Sequence, residues 1–403
     1  MIRYRASWVL PISRSPLRHG WVTVDRDRVV ALGDGAAMDG SAELNLGSVA
    51  ILPGLVNAHT HLELSSLSRR VPPAEEFVGW IRGVVALRRM TPDPAGPDLL
   101  AAIAGGIAES LRCGTALVGD ISNTLATVGP LTQSDLAAVV FYELIRFNTS
   151  DPEGVVEDAC RRLDALGETA HVRTALAAHA PYSVAPLVFR AIRRAADRRS
   201  CTLRSVHVSE SRDETAFMRD GSGAWRGFLD QVGAWDPGWV APGVSPVQFL
   251  DENDFLNDRV LAVHGVQMTS SDLARLASAG ATLVACPRSN AYTGAGVPPI
   301  AEFYASGVRV AVGTDSLASA PDLSVFAELA VLRALAPGVT ASTLLDSATR
   351  QGARALGFEA DYGTIEPGRR ARLLAVSVPD GIDDVEEYLV SGVQPDQVRW
   401  LDA

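Results

Sequence analysis

Between His59 and Thr314 this chain alternates apolar, strand-like runs with helical patterns, and several of the runs finish on a histidine or an aspartate. The runs end near His59, Gly119, Tyr142, Ala178, His207, His264, Cys286 and Thr314. Helical patterns fall between most of them, at 98–112, 152–166, 186–198, 271–279, 299–306 and 323–335, with one more at 341–355. Eight strands separated by helices predict an α/β fold whose parallel strands close into a (β/α)8 TIM-like barrel. In such barrels the functional groups gather at the carboxyl ends of the strands. The flanks differ: WVTVDRDRVVALGDG near the start and YGTIEPGRRARLLAVSV near the end read as short strands and turns. The expected division is 1–53 together with 359–403 as a small composite β-sandwich, and 54–358 as the metal-dependent barrel catalytic domain.

Composition narrows the function. Hydrophobic residues make up 47% of the 403, enough for a large core. A formal net charge of −11 repels a phosphate backbone, so no nucleic-acid partner is expected. All 36 basic residues are Arg. Without Lys there is no Schiff-base catalysis, no covalent pyridoxal phosphate, no Walker-type phosphate loop and no carbamylated Lys bridging two metals. The four cysteines, Cys113, Cys160, Cys201 and Cys286, form no CxxC pair and read as reduced thiols. With no signal-like N-terminus and no membrane-spanning apolar run, a cytoplasmic protein without a membrane partner is expected.

His59-Thr60-His61 is a period-2 pair, so both imidazoles leave one strand on the same side. Alone the pair says little, but His207 and Asp315 stand at later strand ends. Three imidazoles and a carboxylate suit one divalent metal and leave room for a water, whose pKa the metal lowers towards neutrality. Glu210, three residues past His207, is a candidate general acid/base. His264 would be a fifth ligand or would orient the attacking water. His179, in ALAAHAPYSV, is a candidate substrate contact, with Ser183 as an N-cap. The segment 208–259 is long for a connection and holds Trp225, Trp235 and Trp239, so a helical excursion is expected, with one Trp able to cover a substrate. The zinc-deaminase pattern H-x-E…P-C-x-x-C and the serine-hydrolase elbow G-x-S-x-G are both missing.

In their order, PGLVNAHTHLE, AHAPYSV, HVSES, His264, CPRSN and GTDSLAS resemble the amidohydrolase superfamily over nearly the whole chain. More narrowly they are similar to its mononuclear deaminase branch, which includes methylthioadenosine/S-adenosylhomocysteine deaminases, guanine deaminases and triazine chlorohydrolases. HTHLELS, FVGWIRGVVALRR and SPVQFLD look most like the aminofutalosine deaminases of an alternative menaquinone route. The resemblance implies one Zn²⁺ or Fe²⁺ on His59, His61, His207 and Asp315. Asp315 would also take a proton from the water, His264 would hold that water, Glu210 would protonate the substrate ring nitrogen, and His179 would contact the substrate. Hydroxide attack on an amino-bearing aromatic carbon with loss of ammonia follows, and 6-amino-6-deoxyfutalosine is the expected substrate. Its carboxylate would meet Arg146 or Arg288, Glu63 would accept from ribose hydroxyls, and Trp80 would cover the base or ribose. By analogy with the fold's relatives the chain would be a homodimer. Alternatives are methylthioadenosine, S-adenosylhomocysteine, adenosine or guanine deamination, triazine dechlorination, and an inactive barrel used for binding. Three departures stand out. ALRRM has no acid where methylthioadenosine deaminases place a ribose-binding Glu, Arg146 replaces an expected small residue, and Arg372 replaces an expected Asp.

Overall fold

The structure, a computed structural model, describes residues 1–36, 42–90, 93 and 95–401. Eight strands form one parallel sheet in sequence order: Leu55–Thr60, Thr115–Ser122, Ala137–Leu144, Val172–Ala178, Arg204–Val208, Val260–His264, Thr282–Ala285 and Arg309–Val312. The last strand returns to the first through a parallel bridge from Thr60 to Asp315, so the barrel closes. The seam is polar and fully paired. Asn57 donates to the Thr314 hydroxyl at 2.7 Å and accepts from the Thr314 N–H at 3.0 Å, while the Thr60 hydroxyl donates to the Asp315 carbonyl at 2.7 Å. Gly313 allows the approach: a Cβ there would lie 2.8 Å from the His59 Cβ and 2.9 Å from the Cys286 Sγ.

Every strand end named from the sequence falls at or within a few residues of an observed one. Alternate residues of neighbouring strands, among them Leu117, Val139, Phe141, Leu261, Val263 and Val284, share one buried cluster, as expected of a barrel filled by side chains. The helix expected at 341–355 is instead three pieces: α-helix Ala341–Asp346, a π turn Ser347–Gln351, and α-helix Gly352–Ala355. Side chains enter the ladder here. Thr349 donates back to the Leu345 carbonyl, and Asp346 takes Arg350 and Gln351. The long excursion folds as helices Arg212–Asp220, Trp225–Gln231 and Pro246–Glu252. Helices Val128–Thr132, Pro287–Tyr292 and Val385–Leu389 were not expected; at five or six residues each they are too short to show a helical period.

Both ends of the chain build two further sheets. Arg28–Gly33, Trp21–Asp25, Ile2–Arg5 and Ala42–Asn45 form one. Val398–Trp400, Leu373–Ser377, Val49–Pro53, Trp8–Val9 and Leu17–Arg18 form the other. Tyr4, Val22 and Val24 of the first sheet and Val9, Ile51 and Leu373 of the second share one core. Val49–Pro53 runs on through Gly54 into the first barrel strand, which ties the sandwich to the strand carrying His59.

Candidate metal centre and active site

His59 and His61 leave the first strand, His207 the fifth, His264 the sixth, and Asp315 follows the eighth. The barrel brings them together. His61 Nε2 lies 3.3 Å from His207 Nε2 and 3.5 Å from Asp315 Oδ1. His59 Nε2 lies 3.9 Å from Asp315 Oδ1, and the His59 and His264 ring centroids are 5.6 Å apart. Ligand atoms of His59, His207 and His264, and of His59, His61 and Asp315, form two overlapping groups, each within 4.8 Å. Two of the five residues hold left-handed backbone, φ 79° at His264 and φ 58° at Asp315. Non-glycine strain at two functional positions of one cluster persists only where the surroundings impose it.

The donor set fits one divalent cation. His59 is completely buried, yet neither ring nitrogen has a hydrogen-bond partner among the described residues. A dry imidazole with both nitrogens idle is costly unless a metal takes one of them. Burial first, then neighbouring imidazoles, pushes the His59 and His264 rings well below the usual histidine range, and burial lowers His61 as well. Burial thus favours the neutral form of these rings, the form a metal binds. Outer contacts fix the orientations. His207 Nδ1 faces the His179 carbonyl at 2.9 Å, Asn290 holds His264 Nδ1 at 2.9 Å, and Asp315 Oδ2 accepts from Ser289 (2.5 Å) and Ser319 (3.1 Å).

Glu210 is buried beside this group, with Oε1 3.4 Å from His264 Nε2. Burial, and secondarily Asp315 and Glu214, drive its carboxyl well above the ordinary range, which favours the protonated acid. Glu214 has a supporting task. Its carboxylate accepts from the Ser209 and Glu210 N–H groups at 2.9 and 2.8 Å, and Ser211 caps the same helix.

A cavity of about 310 Å³ opens above these groups. Its wall is apolar: Phe77, Trp80, Ile81 and Val84 come from helix Phe77–Met90, and Phe228 and Leu229 from Trp225–Gln231. His179 lines the cavity with its Nδ1 held 2.5 Å from the Ser183 hydroxyl; Ser183 therefore anchors that ring, while Ala185 stands at the helix N-cap. Trp225 lines the cavity and stacks on Tyr182 with centroids 3.7 Å apart, whereas Trp235 and Trp239 pack on Phe147. A second groove, about 520 Å³, lies outside the barrel between helices Pro152–Leu166 and Pro186–Ala196. Surface ion pairs such as Arg199–Asp164 occupy it, so it is not a competing site.

Three expected substrate contacts are not brought to the cavity. Glu63 does not continue the His59, His61 alternation, because the strand stops at Thr60 and Leu62–Leu67 is a 3₁₀ turn. Its carboxylate is consumed by Ser122, by Thr124 (hydroxyl 2.6 Å, N–H 3.1 Å) and by the Asn123 N–H at 3.2 Å. Arg146 is exposed and bonds the Ile145 carbonyl at 2.8 Å. Arg288 turns away to Asp322 at 2.8 Å and Glu328 at 3.7 Å. The cations at the cavity mouth are instead Arg88 and Arg89, at the end of helix Phe77–Met90. Glu143, at the end of the third strand, also lines the cavity and received no role from the sequence. Its signal was there: it shares strand parity with Val139 and Phe141 of the barrel interior.

A closed parallel barrel with neutral imidazoles and a carboxylate at the carboxyl ends of its strands defines a metal-dependent barrel hydrolase. The amidohydrolase family model matches residues 50–396, and the chain belongs to that family. An aminodeoxyfutalosine deaminase of Deinococcus radiodurans is 33% identical over 79% of this chain and 75% of its own length. A 5-methylthioadenosine/S-adenosylhomocysteine deaminase of Moorella thermoacetica is 28% identical over 98% of this chain and 94% of its own. The crystal structure of an adenosine deaminase from Xanthomonas campestris, solved with bound zinc, superposes with a TM-score of 0.81 at 28% identity, covering 98% of this chain and 90% of that one. Among the described residues no helix is long and apolar enough to cross a membrane.

Proposed function

We propose that this protein is a zinc-dependent aminohydrolase that removes the exocyclic amino group of an adenine-type nucleoside, with 6-amino-6-deoxyfutalosine as the best-fitting substrate. The observation that carries the reading is Glu210: a buried carboxyl lining the cavity, 3.4 Å from His264 and facing the imidazole cluster, with burial driving it well above the ordinary carboxyl range. His59, His61, His207 and Asp315 would hold the ion. When bound, a divalent metal supplies the Lewis acidity that makes water a nucleophile at neutral pH.

The chain's own groups do the rest. Asp315 keeps Oδ2 on Ser289 and Ser319, which leaves Oδ1, beside His59 and His61, to accept a proton from the attacking water. His264, fixed through Nδ1 by Asn290, directs Nε2 into the cavity to orient that water. Glu210 delivers its proton to the ring nitrogen next to the attacked carbon; the proton taken up by Asp315 passes to the amino group, which leaves as ammonia, and the new hydroxyl returns its proton to Glu210 as the ring carbonyl forms. The walls of Trp80, Phe77 and Phe228 enclose the flat ring and exclude bulk water.

An acidic tail on the substrate would meet Arg89, which lines the mouth and has no hydrogen bond or ion pair among the described residues. Arg88 beside it is already engaged by Asn123 at 2.7 Å and Glu63 at 3.6 Å. A guanidinium without an ion pair among the described residues, beyond an apolar wall, favours a nucleoside with an apolar arm ending in a carboxylate over methylthioadenosine. The test is ammonia release by the zinc-loaded protein from adenosine, methylthioadenosine, S-adenosylhomocysteine and 6-amino-6-deoxyfutalosine. A metal-loaded protein that turns over none of them rules the reading out.

A further inference from the structure

Glu143 is the one cavity carboxylate that the chemistry above leaves unused. It is buried, at 5% exposure, and lines the cavity from the end of the third barrel strand. Its Oε2 accepts from the Asn123 side chain at 2.7 Å, which fixes the carboxylate plane. Its Oε1 is buried and accepts no hydrogen bond among the described residues. The nearest candidate donor, His207 Nδ1, lies 3.4 Å away, but the His179 carbonyl competes for that ring proton at 2.9 Å. The other acids are occupied. Asp315 sits among the imidazoles, Glu210 faces His264, and Glu63 is taken up by residues 122–124. Across the cavity, the end of helix Phe77–Met90 offers only guanidinium donors, Arg88 and Arg89.

A buried carboxylate oxygen without a donor costs more than a paired one, so the ligand that fills this cavity gains by bringing an O–H to it. We propose that Glu143 is a specificity residue that accepts a hydrogen bond from a hydroxyl of the substrate's sugar. The assignment rests on the nucleoside reading above and sharpens it: the sugar must be a ribose and not a deoxyribose. Asn123 is the positioning residue, because it bridges Glu143 to Arg88 and sets the direction of the open oxygen.

The test compares kcat/KM for the best nucleoside of the panel with its 2′-deoxy and 3′-deoxy analogues, in wild-type protein and in Glu143→Gln, with bound zinc measured in both. Loss of one charge-assisted hydrogen bond predicts a wild-type preference for the ribonucleoside of roughly 10- to 100-fold over one of the analogues. In Glu143→Gln that preference should fall to about twofold, while zinc content stays near wild type. Asn123→Ala, a residue farther from the imidazole group, should weaken the same preference in part. A variant that keeps the wild-type preference overturns the assignment, as does one that loses zinc and falls equally on every substrate. An active wild type that does not distinguish ribose from deoxyribose overturns it too. A wild type that releases ammonia from no nucleoside overturns the deaminase reading and this assignment together.

Discussion

The floor of the cavity hangs from strand ends, whereas its wall is carried by helix Phe77–Met90 and segment Trp225–Gln231. On the floor three of the donors are tied twice, to the sheet through the backbone and to a neighbour through the side chain. Asp315 has Ser289 and Ser319, His264 has Asn290, and His207 has the His179 carbonyl. The wall side chains are held by apolar and ring contacts, such as Phe77 against Trp80 and Trp225 against Tyr182. Hydrogen-bonded networks fix atoms to fractions of an ångström, as bond-making requires, while apolar walls tolerate exchange of shape. The metal-binding groups of the floor, with Glu210, therefore set the reaction, and the wall, together with Glu143, sets the substrate. Changes among the former should abolish turnover, and changes on the wall should move KM.

Stripping the metal is the harshest test of the floor. Chelated protein should show no measurable ammonia release and should recover with added zinc, because nothing else there can activate water at neutral pH. Full activity after verified metal removal would break the division between floor and wall. Next comes Glu210→Gln, which keeps the shape but removes the transferable proton. Zinc should stay bound while kcat drops by roughly 10²- to 10⁴-fold. A variant as active as the parent would strip Glu210 of its role.

The floor was legible in the sequence and the wall largely was not. His59, His61, His207, His264 and Asp315 could be read because a strand has a strict period and a parallel barrel collects its strand ends at one mouth. Glu63 shows where that logic stops: the period was extended one step past the true strand end, into a 3₁₀ turn that carries the side chain under the loop at 122–124. Arg146 and Arg288 also stood at strand ends, but their directions depend on neighbours supplied by distant segments, Asp322 and Glu328 in the case of Arg288. Arg89 was invisible for the converse reason. Only the packing of helix Phe77–Met90 over the barrel mouth gives a guanidinium in ALRRM a meaning.

Arg89→Ala tests the wall. For a carboxylated nucleoside KM should rise about tenfold with kcat nearly unchanged, the value of one exposed charge-assisted contact. For adenosine, which has no tail, KM should hardly move. Equal changes on both substrates would mean that Arg89 supports the wall and does not read the tail.

Arg288→Ala should leave the cavity least affected of all, with KM on either substrate within about twofold of the parent. Its effect belongs to stability. The Arg288 side chain is only 12% exposed and faces Glu328, which is fully buried. Burial pushes the Glu328 carboxyl up to about 8, and the Arg288 guanidinium opposes that rise. A carboxyl whose folded value lies above its unfolded one binds more protons in the native state, so it makes stability fall as pH rises from the ordinary Glu range through about 8. Removing Arg288 takes away the opposing charge and raises the folded value further, which extends that decline upward. The variant should therefore be only mildly destabilised near about pH 5, where Glu328 can stay neutral, and by about 1 kcal/mol more near about pH 9, one unit above the parent value of about 8. Denaturant melts at the two pH values measure this. A deficit that is constant with pH would show that Arg288 contributes packing alone, and a tenfold rise in KM would return it to the substrate site from which its geometry excludes it.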